Sequence, residues 1–258
     1  MSRASNRATI AALMARARNE LLRVPGAAIP GVLAPTIFFL GLNGVFGSLV
    51  QLRGFNTDSY LTFLLPVSML QGAGFTGAAT GVNLARDIEQ GWFDRLMASP
   101  APRWVLLAGM AFSASARALI PAALVLIVAL ALGASFPGVL ALLIAAVLVM
   151  GMAGVAAFWG MTLALRYRSQ SAAPLMQAGM FLLVLLTPAY APLALLQGWL
   201  HDVASLNPVT KVIDAMRQGF VGDVSWSDTW PALLAIAALL AVLGAAALRG
   251  MNRFNARA

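Results

Sequence analysis

Six apolar stretches, at about residues 27–50, 60–84, 104–132, 139–165, 172–196 and 230–248, take up most of this chain, and each is long enough for the ~20 residues that a helix needs to cross a bilayer. This one feature leaves little room for any other architecture. The composition agrees, since 60% of the residues are hydrophobic and 10% charged, against roughly 25% charged in an ordinary soluble domain. With a mean hydropathy of +0.84, the sequence predicts an all-α polytopic membrane protein with six transmembrane helices, forming a single transmembrane domain over residues 1–258.

Seventeen Lys and Arg stand against nine Asp and Glu, a net charge of +8. In a soluble chain that excess would raise nucleic-acid binding. Here the basic residues sit at the ends of apolar stretches, so they read as topology signals and not as a nucleic-acid surface. With the N-terminus inside, Arg3, Arg7, Arg16, Arg18, Arg23, Arg86, Arg95, Arg103, Arg166, Arg168, Arg249, Arg253 and Arg257 all fall on the cytoplasmic side. Arg53, Lys211 and Arg217 fall outside, and Arg117 falls within a span. The expected orientation therefore puts both termini and the loop at 85–103 in the cytoplasm. The first 23 residues are arginine-rich and lack the apolar core and cleavage site of a signal peptide. The chain has no cysteine, which excludes disulfides and thiolate metal sites.

Residues 5–23 place Ile10, Leu13, Ala17 and Leu21 on one helical face with Arg7 and Arg18 on others, the pattern of an amphipathic helix lying on the membrane; a disordered basic tail is the alternative. In the second stretch Gly77 and Gly81 have the GxxxG spacing that lets two helix backbones approach, without naming the second helix. Arg117 in the third stretch costs at least ~2.5 kcal/mol to embed, so it faces a bundle interior, an aqueous cavity or the headgroups. It is either near a substrate path or a structural arginine held by carbonyls. The fifth stretch holds Pro174, Gln177 and Gly179, and is interrupted by Thr187-Pro188-Ala189-Tyr190-Ala191-Pro192 before apolar residues resume at Leu193. Such breaks are tolerated at membrane depth only where protein or water covers the backbone. Asn207-Pro208 is a helix start, with asparagine as cap and proline at the first helical position. His201, the single histidine, reads as an exposed interfacial residue.

Asn83 to Pro100 is the densest polar block, with Arg86, Asp87, Glu89, Asp94 and Arg95 wedged between two apolar stretches. A helix broken at Gly91 is expected there, its second half placing Trp92, Phe93, Leu96 and Met97 on one side and Asp94 and Arg95 on another. Pro100 and Pro102 stop it. The general reading is an interfacial loop with its aromatics among the headgroups.

The run Asp87-x-Glu89-x-Gly91-x-Phe93-Asp94-Arg95-Leu96-x-x-Ser99-Pro100-x-x-Arg103 resembles the cytoplasmic loop between the second and third spans of ABC-2 type transporter permeases, in particular the bacterial daunorubicin-resistance-like drug exporters. Leu206 to Arg217 resembles the Asn-Pro motif of the same family. The resemblance implies an elbow helix at 5–23, short re-entrant helices between spans five and six, and a coupling helix within 85–103 that docks on an ATP-hydrolysing subunit. On that reading Trp92, Phe93 and Leu96 fill the ATPase groove, while Asp87, Glu89, Asp94 and Arg95 set its register and Gly91 bends the chain. Arg117 and Gln177 are the candidates for a substrate path. The implied partners are a dimer of ABC ATPase subunits, which binds ATP and magnesium, a second permease subunit of the same or another kind, and membrane lipid. The implied setting is a bacterial inner or plasma membrane.

The chemistry the sequence lacks narrows the function. The single lysine, Lys211, follows no glycine-rich turn, so the chain is not itself a P-loop ATPase. It has no Cys/His cluster and no Gly-x-Ser-x-Gly elbow, and it binds no cofactor or metal by any recognisable motif. All nine acids lie in loops or near span ends, whereas an ion-coupled carrier places acids near the midplane. The expectation is the permease subunit of an ABC exporter for a hydrophobic or amphiphilic compound. Its alternatives are a non-transporting membrane scaffold that binds a soluble partner, and an exporter of a polysaccharide.

Overall fold

The computed structural model describes residues 11–12, 14–15, 29–51, 55, 57 and 59–255. Among these the chain is all helical, with no strand. The elbow helix expected at 5–23 lies outside the described residues, apart from helical backbone at 11–12 and 14–15, and Arg53 and Asp58 lie outside them too.

Among the described residues from 29 on, nine α-helices follow in order: α1 (Ile29–Phe46), α2 (Tyr60–Glu89), α3 (Trp92–Met97), α4 (Arg103–Ala131), α5 (Val139–Tyr167), α6 (Ala173–Leu185), α7 (Trp199–Leu206), α8 (Pro208–Val221) and α9 (Trp226–Asn255). Short 3-10 turns at Gly47–Gln51, Gln170–Ala172 and Leu193–Leu195 link them. Among the described residues, five helical segments are long and apolar enough to cross a membrane: Leu33–Gln51, Tyr60–Glu89, Arg103–Ala131, Val139–Tyr167 and Trp226–Phe254.

The fifth span expected at 172–196 takes another form. Its helix, α6, ends at Leu185 after 13 residues, about 20 Å at ~1.5 Å per residue and short of a ~30 Å hydrocarbon core. Proline at 188 and 192 stops the helix from continuing. The chain nevertheless runs the length of the bundle here. Gln170 is hydrogen-bonded to Glu89 at the end of α2, whereas the Tyr190 carbonyl accepts from Tyr60 at the start of α2. α6 and the irregular residues after it make that passage together.

α2 is the axis of the fold. It packs against α1, α4, α5, α6 and α8, and 89% of its most apolar window is buried, against 17% for α9. Its GxxxG pair finds its partner in α5: a Cβ on Gly81 would run into the backbone of Gly160, and one on Gly77 into the carbonyl of Ala153. Close backbone contact of this kind is how helices associate where no water drives them together.

The rim is apolar. Ile37, Phe112, Ile127, Val139, Leu143 and Val242 are all exposed along the long helices. Hydrocarbon side chains facing outward over a polar-poor helical bundle suit a lipid environment.

Candidate functional site

The Asn83 to Pro100 block forms a sharp bend at one end of the bundle. α2 runs unbroken to Glu89, and Gly91 then adopts φ 69° with nothing near its missing side chain. That left-handed conformation favours glycine, so the break expected at Gly91 is where the sequence locates it. α3 follows at once and ends at Met97, before Pro100 and Pro102.

The side chains of this bend divide in an unexpected way. Phe93 is 1% exposed, and its ring meets that of Phe254 on α9 edge to face, with centroids 5.0 Å apart. Leu96 and Met97 are half-buried against the same core. Trp92, Asp94, Arg95 and Gly91 face outward. Phe93 therefore secures α3 to the bundle, and Trp92 is the large apolar side chain that the bend leaves exposed.

Three further contacts hold the bend. The Glu89 carboxylate takes three hydrogen bonds from the α5–α6 connection: at Oε1 from Ser169 Oγ and Gln170 N, both 2.8 Å, and at Oε2 from Gln170 Nε2 at 2.5 Å. Arg168 lays its guanidinium over the Phe254 ring, 4.2 Å from the centroid. It does so at φ 54°, the only positive φ of a non-glycine residue among those described. Arg103 Nη1 donates to Asn252 Oδ1 on α9 at 2.8 Å. In the sequence Arg103 ends a motif and, with Arg168, marks topology, whereas Gln170, Phe254 and Asn252 stand in no motif named above. Half-buried Asp87 stands on α2 two residues before Glu89.

Arg117 and Gln177 lie on α4 and α6, both of which pack on α2. Arg117 is half-buried and donates through Nη2 to Thr80 Oγ1 on α2 at 3.2 Å. Gln177 is half-buried, and its Oε1 is shielded from solvent with no hydrogen-bond partner among the described residues. An apolar groove of about 480 Å³ lies between the first turns of α5 and α9, lined in part by Leu140, Leu143, Val147, Trp226 and Leu233. Its one hydroxyl, on Thr229, is already engaged with Ser225 O and Gln218 Nε2, so the groove is lined mainly by hydrocarbon.

At the opposite end, the break after α6 is stitched by residues from three other elements. Asn207 Nδ2 donates to the carbonyls of Leu183 and Leu186 at 2.9 and 2.8 Å, while its Oδ1 caps α8 through Val209 N at 2.9 Å. Arg217 Nη2 donates to the carbonyls of Pro188 and Ala189 at 3.1 and 3.3 Å, and its guanidinium stacks 3.6 Å over Phe63. Tyr60 donates to Tyr190 O at 2.9 Å, and Gln71 Nε2 to the Tyr190 hydroxyl at 2.6 Å. The carbonyls that a broken helix frees are thus paired within the protein, as an apolar setting requires. Arg217, read from the sequence as one of three basic residues on the outer side, lies on α8 beneath this segment. Burial lowers its pKa to about 10, with Asp214 acting in the opposite direction, so it stays a cation near neutral pH.

Long lipid-suited helices, a central glycine-packed axis and a polar bend held at one end define a multi-pass membrane protein whose distinctive surface is that bend. Residues 8–221 match the ABC-2 type transporter family, ABC2_membrane. The chain belongs to this family. It is 27% identical over 201 residues to the probable multidrug ABC transporter permease YbhR of Escherichia coli K12, and equally to that of Escherichia coli O157:H7. Each alignment covers 75% of this chain and 53% of the relative, so the chain spans about half the length of the curated relatives it matches.

Proposed function

We propose that this chain is the membrane subunit of an ATP-binding cassette exporter, and that it carries a hydrophobic or amphiphilic compound out of the cell using ATP hydrolysed by a separate subunit. The observation that carries this reading is the bend at Gly91. A six-residue helix, braced from within by Phe93, presents Trp92, Asp94 and Arg95 at the tip of the central helix. An exposed aromatic flanked by charges of both signs suits a protein groove with an apolar floor and a polar rim. The family and the multidrug name of the relatives support the reading.

In this arrangement the bend faces the cytoplasm and a second permease subunit completes the pathway. The partner subunits hold ATP and magnesium. Closure of the ATPase pair drives transport only insofar as the closed pair binds one conformation of the bend better than the other. Gln177, with its shielded and unengaged amide oxygen, is a candidate cargo contact, and Arg117 on α4 is a second.

Co-purification with the ATPase encoded beside it, followed by ATP-dependent uptake of an amphiphilic dye into inverted vesicles, tests the proposal. Binding with ATP-dependent uptake supports it. An intact, membrane-inserted chain that binds no ATPase and moves no cargo overturns it.

A further inference from the structure

The Glu89 carboxylate, expected from the sequence to meet an ATPase, is engaged inside the chain. Its three hydrogen bonds all go to Ser169 and Gln170. Those two residues begin the run into α6: Ser169 Oγ also accepts from Ser171 N at 3.2 Å, capping the 3-10 turn Gln170–Ala172 that passes directly into Ala173. The last residue of α2 thus grips the 3-10 turn that leads into α6, beside the glycine hinge that leads into α3.

α6 is suited to respond to that grip. It is short, it packs chiefly on α2, and its far end passes into the irregular segment stitched by Asn207, Arg217 and Tyr60. Behind Glu89 a second route reaches the same connection, from Phe93 through Phe254 to Arg168. The connection between α5 and α6 is therefore fastened to the bend on both sides of Gly91.

We propose that Glu89 is a positioning residue that ties the start of α6 to the bend, so that a displacement of the bend is passed through α6 to the break at the opposite end of the bundle. This rests on the exporter reading above. Glu89 is exposed, and polar contacts at exposed sites contribute little to stability. Its three bonds therefore act on geometry more than on folding, which allows the role to be separated from a structural one.

The test uses the full chain with its ATPase in vesicles and reads cargo moved per ATP hydrolysed for wild type, Glu89→Ala and Glu89→Gln. Glutamine keeps one oxygen for Ser169 and Gln170 N, and its amide can donate to Gln170 once that side chain turns over. The expected result for Glu89→Ala is a ratio at least about tenfold lower with the ATPase still bound, within the range usual for coupling between sites. Glu89→Gln is expected within about twofold of wild type, since it restores the bonds without the charge. The chain lacks cysteine, so a Glu89→Cys, Gln170→Cys pair offers a second readout: a low ratio when reduced and recovery on cross-linking. A wild-type ratio in Glu89→Ala overturns the inference, as does a Glu89→Gln variant as impaired as alanine. Loss of ATPase binding in Glu89→Ala also overturns it, by making Glu89 a contact residue, and leaves the exporter reading standing. A wild-type chain without ATP-driven transport removes both, and is seen before any variant is made.

Discussion

Phe93 of α3 and Phe254 near the end of α9 meet edge to face with ring centroids 5.0 Å apart and an interplanar angle of 82°. One pair of rings thus joins the shortest α-helix among the described residues to the last turns of α9. Phe93 is almost wholly enclosed, so its removal leaves a void at the base of the bend. Phe93→Ala is expected to cost about 3 kcal/mol or more, the range for a deleted core aromatic, and Phe93→Leu much less. Thermal unfolding of the detergent-solubilised protein measures both; equal midpoints for wild type and alanine would show that the bend is held without this pair.

Trp92 precedes Phe93 by one residue and has the opposite prospect. It is 36% exposed, so Trp92→Ala is expected to lower the unfolding midpoint clearly less than Phe93→Ala does, since less of its surface is covered. On the proposed function, the same variant weakens ATPase binding by at least about tenfold, or 1.4 kcal/mol. Affinity measured against the purified ATPase decides, and an unchanged value would take the apolar anchor role away from Trp92.

Two glycines in different settings test the packing of the axis. Gly81→Val forces a branched side chain into the Gly160 backbone, where no flexible group can yield, and is expected to separate α2 from α5 and lower the yield of folded protein sharply. Gly44→Ala on α1 meets nothing within 4 Å and is expected to be neutral or to stabilise by up to about 1 kcal/mol through helix propensity. Size-exclusion recovery and the unfolding midpoint report both.

Arg217 supports the break with two hydrogen bonds from one guanidinium nitrogen and a stacked face over Phe63. Lysine keeps the charge but not the planar stack, so Arg217→Lys is expected to lose stability as well, and Arg217→Met to lose about 1.5–3 kcal/mol, the worth of hydrogen bonds from a charged group. Faster proteolysis between residues 186 and 198 in both variants would show the segment released. A lysine variant as resistant as wild type would reduce the role of Arg217 to its charge.

Much of this architecture is legible from local chemistry. Hydropathy and length mark the long apolar helices, though the last runs to Asn255, seven residues past the end of its apolar stretch. Gly91 marks the bend because few other residues adopt its φ, and Asn207-Pro208 marks the start of α8 because its cap and ring satisfy a helix N-terminus. The candidate site was legible in place but not in orientation. Adjacent residues on a helix point ~100° apart, close enough to share one broad apolar face, and a helix of six residues is too short for periodicity to say which of Trp92 and Phe93 turns inward.

The long apolar helices, the bend at Gly91 and the approach of Gly77 and Gly81 to another backbone are written into neighbouring residues, because each follows from the solvation and backbone preferences of consecutive positions. It takes the packed fold to show that α5 is that backbone, that Phe93 packs on Phe254, that Glu89 is held by Ser169 and Gln170, and that Arg217 lies under the broken segment. Each of these depends on side chains brought together from distant parts of the chain, and a hydrogen bond or ring contact across such a distance leaves no periodic trace in either segment.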